Sequence, residues 1–218
     1  MEKSYWQSRW LKDKIGFHTP EMDPSFLEYW PNLFPKKNAK VLVPLCGKAT
    51  EMKWLSDNGY KVLGVEFVSK ACEDFFKTIN VLANTSNSNG VNVFEFENIK
   101  LHNIDFFKLN PKIVGFADYV YDRAALIALP ENKRQLYVET LKKVIKPGTH
   151  ILLITLEYNQ SEMSGPPFSV SFNEVKQLFG DGFKIDLLET REILGTMVKF
   201  RDRGITRLYK NVIHIRTI

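Results

Sequence analysis

The sequence predicts an α/β fold: a seven-stranded, mostly parallel, doubly wound sheet with an antiparallel C-terminal strand pair, preceded by N-terminal helices that can lie over the strand ends. Three observations carry that expectation. Residues 40–66, KVLVPLCGKATEMKWLSDNGYKVLGVE, read as strand, tight turn, helix, turn and strand. Short apolar runs alternate with helical stretches along most of the chain, which is how crossover units build a parallel sheet. The last two extended runs, 183–191 and 208–215, are of mixed character and joined by a loop near Gly204, which suits an antiparallel pair.

Taken in order, Ser4 can cap a first helix in which Trp6 and Trp10 share one face. Two such tryptophans suit either core packing or a lid over the strand ends with an indole on the ligand. The stretch Gly16-Phe17-His18-Thr19-Pro20 breaks the pattern. A second helix is expected from Pro24 to about Trp30, with Phe26, Leu27 and Trp30 inward, before Pro31 and Pro35. Val41-Leu42-Val43, followed at once by Pro44, is a buried strand. Met52, Trp54 and Leu55 face one way on a helix over 49–57 that Asn58-Gly59 ends. Residues 61–65 form the next strand. Ser69 can cap a helix through Phe75, Phe76 and Ile79, and the polar run 83–90 is a surface loop. Residues 91–96 alternate; a short strand over 99–101 leads to Ile104 and Asp105. Residues 117–121 are the fourth strand, with Asp122 and Arg123 at its end. Pro130 and Glu131 start a helix burying Leu136, Tyr137, Leu141 and Val144, which Lys146-Pro147-Gly148 terminates. Residues 151–156 are a strand buried on both faces, and a proline-stiffened loop over 157–169 follows. Ser171 caps a helix through Val175, Leu178 and Phe179.

Composition narrows the class. At 218 residues the chain suits one domain, 1–218, made of a helical lid (1–38) and an α/β sandwich (39–218). A 44% hydrophobic and 25% charged composition is that of a soluble globular protein. No apolar run approaches membrane-spanning length and the first residues lack the apolar core of a signal peptide, so a cytoplasmic location and no membrane partner are expected. Cys46 and Cys72 are expected as free thiols. His18, His102, His150 and His214 are dispersed, so no metal is assigned. The net charge of +5 comes from basic residues interleaved with acids rather than from a stripe, so no nucleic-acid partner is expected. The same charge would steer an anionic small substrate.

In a doubly wound sheet the ligand lies across the carboxyl ends of the strands, with glycine allowing close approach after the first strand and a carboxylate after the second binding the ribose. Gly47 and Glu66 hold those places, which predicts a nucleoside site. The turn then discriminates among nucleosides. Neither GxGxxG nor GxxxxGK[ST] is present, so nothing is set to surround a diphosphate. Pro44-Leu45-Cys46-Gly47-Lys48 is tighter and more apolar, better suited to an adenosine carrying a sulfonium amino acid. By the same strand-end rule Ile104, Asp105, Asp122 and Arg123 face the crevice.

These segments also carry a resemblance. Trp10, Ile15-Gly16-Phe17-His18, Val43-Pro44-Leu45-Cys46-Gly47-Lys48, Gly64-Val65-Glu66, Asp122-Arg123-Ala124-Ala125-Leu126 and Gly165-Pro166-Pro167-Phe168 resemble, in order and over nearly the whole chain, the signature segments of the thiopurine S-methyltransferase family, in its bacterial form. The resemblance implies a class I methyltransferase fold that uses S-adenosylmethionine, with N-terminal helices covering the active site; the expected partner is a small-molecule thiol or anionic substrate, and a monomer is expected. It implies that Trp10, Leu45, Gly47, Glu66 and Arg123 line the cofactor site, with Ile104 and Asp105 near the adenine. Phe17, His18, Pro166, Phe168 and Lys199 fall on the substrate side. Arg123 can favour an ionised thiol, and Asp122 can relay a proton from it through water. One departure stands out. Members tend to carry a second substrate-side arginine before the final strand, where this chain has Lys199, which keeps the charge without the bidentate fork.

The expected reaction is in-line transfer of a methyl group to the sulfur of a thiopurine-like or other aromatic or heterocyclic thiol. The alternative within the fold is methylation of halides, small thiols or selenium and tellurium anions. Outside it stand a nucleotide-dependent oxidoreductase, disfavoured by the missing diphosphate turn, and a non-catalytic adenosine-binding module.

Overall fold

The computed structural model describes residues 3–88 and 90–218. The elements run α1 (Lys3–Leu11), α2 (Pro24–Leu33), β1 (Lys40–Pro44), α3 (Glu51–Asp57), β2 (Lys61–Glu66), α4 (Ser69–Thr78), β3 (Asn84–Ser88), β4 (Val91–Phe96), β5 (Ile99–Asn103), α5 (Pro111–Val114), β6 (Ala117–Arg123), α6 (Glu131–Lys142), β7 (Ile145–Glu157), α7 (Phe172–Phe179), β8 (Phe183–Glu192), α8 (Val198–Arg201) and β9 (Tyr209–Thr217). Among the described residues the strands form one sheet in the order β3-β4-β5-β2-β1-β6-β7-β9-β8. The β1 strand pairs in parallel with β2 and β6, β2 with β5, and β6 with β7. The β7–β9 and β8–β9 pairs are antiparallel, as the mixed C-terminal runs suggest.

Successive side chains of a strand point to opposite faces, and the helices cover both. Leu42, Val120, Ile151 and Leu153 pack under Tyr137, Val138, Leu141 and Val175 of α6 and α7. Val41, Val43, Val62 and Tyr121 pack on the other face against Phe26 and Trp30 of α2, Met52 and Leu55 of α3 and Phe75 of α4. The chain moves outward from β1 through β2 and β5, then returns to β6 on the far side of β1. That reversal opens a crevice at the carboxyl ends of β1, β2, β5 and β6, where such sheets bind ligands.

The strand count is nine rather than the expected seven. The β3–β4 hairpin adds two, and β3 lies in the run read as a polar loop, of which Asn89 is outside the described residues. Asn84 to Ser88 are all exposed, and the strand exists through backbone pairing with β4 at the sheet edge. Helix ends also differ. Ser4 lies inside α1, whose preceding residues are not described. Ser69 is the first residue of α4 rather than its cap, and its hydroxyl bonds Glu73. The α2 helix runs past Pro31 to Leu33; Asp23 caps it by accepting from the Ser25 amide at 2.9 Å. Leu27 and Leu136 are exposed because their helices bury a neighbouring stripe: Phe26 and Trp30 in α2, Tyr137, Val138 and Leu141 in α6. Lys146-Pro147-Gly148 does not separate helix from strand but lies within β7, where Thr149 Oγ1 bridges the Lys146 amide and the Ala117 carbonyl.

Candidate functional site

The β1–α3 turn is built by two residues in the left-handed region, Leu45 at φ 46° and Gly47 at φ 50°. Gly47 is further constrained by space. A Cβ there would sit 3.1 Å from the Trp10 indole, so the turn and the last residues of α1 fit only with glycine between them. Trp10 is 3% exposed and packs on Val68 and Ala71 at the start of α4. Lys3 of α1 reaches Asp105 at 2.6 Å, and Asp13 beyond the helix reaches Lys70 at 3.3 Å. The N-terminal segment therefore lies across the ends of β2 and β5.

Glu66 ties this region together. Its carboxylate accepts from the Gly47 amide at 3.1 Å and the Val68 amide at 2.8 Å, while its carbonyl accepts from the Ile104 amide and the Asn103 side chain. Burial pushes the Glu66 pKa up to about 7, against the pull of the Val68, Gly47 and Phe67 amides. Asp105 accepts from the Phe107 amide at 3.1 Å, which holds Ile104 and Asp105 in a fixed turn after β5. These residues fit an adenosine with its ribose on Glu66. The carboxylate oxygens receive only backbone amides, which leaves acceptor capacity for hydroxyl donors. The glycine-floored, indole-roofed turn suits close approach by a ligand backbone.

Arg123, 22% exposed at the end of β6, stands on the other side. Its Nη2 donates to Thr19 Oγ1 at 3.0 Å, and its Nε lies 3.9 Å from Asp23, whose carboxylate also receives Lys210 Nζ at 3.1 Å. The Asp23 amide and Tyr121 hydroxyl both donate to Glu51 Oε1. The pairing leaves Arg123 oriented but not fully neutralised, since Asp23 is shared with Lys210. Half-buried His18 has its pKa lowered by burial and by the charges of Lys48 and Arg123, which places all three groups in one electropositive corner. Phe17 sits edge-on to Trp6 and Trp10, at ring distances of 5.4 and 5.8 Å. Lys199 is exposed, with Nζ 3.8 Å from where a Cβ on Gly16 would lie.

Asp122 does not join them. It is 2% exposed, and its carboxylate accepts from the Tyr137 hydroxyl at 2.6 Å and the Leu126 amide at 3.2 Å. Burial raises its pKa to about 6. The proton-relay role expected of Asp122 has no geometry behind it, because alternate residues of a strand face opposite sides and this one faces α6. Its place is that of a clamp that shapes the turn carrying Arg123.

Pro166 and Phe168 belong to the loop between β7 and α7. Gly165 has φ 74°, and a Cβ there would lie 2.6 Å from the Phe168 ring, so ring and backbone are closely stacked. The Phe168 amide donates to the Ile127 carbonyl at 2.7 Å, and the buried Arg134 guanidinium lies 5.9 Å from its ring centroid. Thr19, Asp23 and Lys48 have no role in the sequence reading. They gain one only from partners distant in the chain, although Lys48 and Thr19 sit in the turns already singled out. Among the described residues no group of three or more His, Cys, Asp or Glu side chains is placed to hold a metal ion.

The whole chain matches known proteins. Residues 1–217 match the family model described as Thiopurine S-methyltransferase (TPMT). A thiopurine S-methyltransferase of Pseudomonas fluorescens is 41% identical over 212 residues, covering 97% of each chain. One from Nitrosospira multiformis is 40% identical over 217 residues, covering 100% of this chain and 99% of its own. Among solved structures, the Burkholderia thailandensis 1,6-didemethyltoxoflavin-N1-methyltransferase with S-adenosylhomocysteine bound superposes with a TM-score of 0.65 at 13% identity, covering 98% of this chain and 86% of its own. A SAM-dependent methyltransferase from Anabaena variabilis gives 0.64 at 16% identity, covering 99% and 94%. At such identities the structural likeness concerns the fold.

Proposed function

The chain belongs to the thiopurine S-methyltransferase family, and on that premise we propose that it transfers a methyl group from S-adenosylmethionine to the sulfur of thiopurine-like or other aromatic and heterocyclic thiols. The observation that carries this reading is Glu66, a buried carboxylate at the end of β2 whose oxygens bridge the Gly47 and Val68 turns. When bound, S-adenosylmethionine supplies an electrophilic methyl on a sulfonium. Glu66 accepts the ribose hydroxyls, Leu45 and Gly47 floor the amino-acid end, Ile104 and Asp105 flank the adenine, and Trp10 keeps water from the turn. Phe17, Pro166 and Phe168 give the acceptor ring apolar walls, and Lys199 adds charge at the rim.

Arg123 and Lys48 supply a positive field where the acceptor sulfur approaches, which lowers the thiol pKa and holds the thiolate. Burial first, and then the charges of those same cations, hold the His18 pKa below its usual value, which favours the neutral ring. Two opposite charges vanish in the transfer, so alignment and exclusion of water contribute most of the acceleration. We extend the reading to a single-domain monomer in the cytoplasm with no nucleic-acid partner. No helix among the described residues is long and apolar enough to cross a membrane.

The test is methyl transfer from labelled S-adenosylmethionine across thiopurines, aryl thiols, halides, hydrosulfide and selenium or tellurium anions. Aromatic thiols are expected to react fastest. A protein that methylates only the inorganic anions would overturn the substrate class. Arg123→Met should slow transfer to thiols that are neutral at the assay pH by about 10-fold or more and shift the pH–rate profile upward, with Arg123→Lys intermediate. A defect confined to cofactor affinity would remove Arg123 from the acceptor side.

A further inference from the structure

Lys210, only 9% exposed, is the second residue of β9. The register places it on the face of the sheet that carries Arg123. Arg123 lies opposite Ile154, Ile154 lies opposite Val212, and Lys210 is two residues from Val212. The lysine therefore stands two strands from Arg123 at the same end of the sheet. Its neighbour across the β8–β9 pair, Arg191, is turned to Glu189, which leaves Lys210 to reach back over the face.

Lys210 and Arg123 meet on one carboxylate. Asp23 Oδ1 receives Lys210 Nζ at 3.1 Å and the Ser25 amide at 2.9 Å, whereas Oδ2 lies 3.9 Å from Arg123 Nε. The Asp23 and Lys210 side chains are each 11% exposed, so solvent ions screen the pair weakly. A second carboxylate lies beneath: Glu51 is buried, and its Oε1 accepts from the Asp23 amide and the Tyr121 hydroxyl. Burial and Glu51 push the Tyr121 pKa up, so the phenol adds no charge. Asp23 and Glu51 thus face Arg123 and Lys210, and Lys48, which with Arg123 bears on His18, leaves the corner positive. Without Lys210 that excess is gone, and Asp23 stands uncompensated beside the guanidinium.

We propose that Lys210 is a positioning residue for the methyl acceptor: by holding the Asp23 carboxylate, it keeps the Arg123 guanidinium available to an anionic sulfur. The proposal rests on the methyl-transfer reading and deepens it, since Lys210 acts on the acceptor only through Asp23 and Arg123. A buried carboxylate deprived of its own cation draws on the next one within reach, and a guanidinium so engaged stabilises a thiolate less. The effect is one of charge, so it requires no displacement of Asp23.

The experiment titrates 6-mercaptopurine, whose near-ultraviolet absorption changes on ionisation, on the full chain saturated with S-adenosylhomocysteine. The wild type should lower the apparent pKa of the bound thiopurine by about one unit or more relative to the free ligand, and Lys210→Met should lose most of that shift. Asp23→Asn keeps a capping side chain on α2 and should lower the bound pKa by a further half unit, roughly. Added to Lys210→Met, it should restore the wild-type value to within about 0.3 unit, which separates charge from packing because the methionine is still in place. Neutral 6-(methylthio)purine should bind all four proteins within about 2-fold of one another. A Lys210→Met protein that keeps the wild-type shift overturns the proposal, as does a loss that Asp23→Asn does not restore or that 6-(methylthio)purine shares. An Asp23→Asn protein whose bound pKa stays at or above the wild-type value overturns it too, so the test is decisive even where the lysine variant does not fold. A wild type that binds 6-mercaptopurine at its free pKa removes Arg123 from the acceptor and the role of Lys210 with it, while methyl transfer from labelled S-adenosylmethionine, assayed beside it, reports separately on the reaction.

Discussion

Glu66 shows how a residue can be legible in kind and not in state. Its place after the second strand makes it a candidate for binding a ribose, but only the fold buries it under two amide hydrogen bonds, and that burial pushes its pKa up to about 7. The unfolded chain ionises it near 4.5, so this raised value works against the fold as pH rises from about 4.5 through 7. Ribose hydroxyls donate to the ionised form, so binding should release a proton near neutrality. Affinity for S-adenosylhomocysteine is expected to rise between pH 6 and pH 8. Calorimetry at pH 7 in buffers of different ionisation heat should report that release, and Glu66→Gln should abolish both effects. Asp122 shows that strand ends name candidate residues without saying which face each occupies, for its carboxylate is bonded to Tyr137 and the Leu126 amide. Its partner Tyr137 lies in a helix that nothing local to Asp122 points to. Arg123 was placed correctly at the end of β6, yet its partners Thr19 and Asp23 come from a connection whose path the sequence does not reveal.

At the scale of elements, periodicity and punctuation found the longer helices and the apolar strands, and missed β3 and the one-turn helices α5 and α8, which are too short or too polar to show a period. The β3 strand has no apolar alternation to read, because its side chains are all exposed and it joins the sheet by backbone pairing with β4 and an Asn87–Asn92 side-chain bond. Gly64 in β2 is the opposite case, a residue whose role is packing. A Cβ there would lie 2.2 Å from Leu101 Cδ2, 2.9 Å from Cys46 Sγ and 3.2 Å from Met52 Sδ, so β2, β5, the β1 turn and α3 converge on it. Gly64→Ala should destabilise the protein by about 1–3 kcal/mol through overpacking, read as a lower urea midpoint at unchanged slope. A midpoint equal to wild type would mean that these neighbours yield freely. The α1 helix makes a second prediction. It is held by Trp10 packing and, with the turn after it, by the partly exposed Lys3–Asp105 and Asp13–Lys70 pairs, which are weak contacts for an element lying across the strand ends. Hydrogen exchange around Trp10 should slow when S-adenosylhomocysteine binds, and Trp10→Ala should remove that protection. Equal exchange with and without ligand would make the tryptophan a core residue only.

Across the whole molecule, the C-terminal half of the sheet depends on β7 and β9, and their pairing brings together two histidines that nothing in the sequence connects. His150 Nδ1 and His214 Nε2 lie 3.1 Å apart beside the Phe34 ring, close enough to share a proton and too close for both rings to be charged. Burial lowers the pKa of both. His214 falls to about 4, with His150 and Arg216 pressing it further down, while Asp186 pulls the other way. The unfolded chain takes up protons near 6.5 and the folded pair resists them. The pair's contribution is therefore complete above about pH 6.5 and is lost as pH falls toward 4. Glu66 and Asp122 act with the opposite sign over much of that range, since their raised carboxyl pKa values favour the folded state at lower pH. A wild-type melting profile mixes the two effects; the difference from a His214→Gln variant isolates the histidines. The variant should be the less stable protein at pH 8, where the wild-type ring pair is neutral and packed, and the gap should narrow steadily as pH falls to 5, because glutamine takes up no proton on unfolding. A melting-temperature difference that stays constant from pH 8 to pH 5 would show that the two rings titrate alike in the folded and unfolded chains, and that burial in this part of the sheet does not hold them neutral.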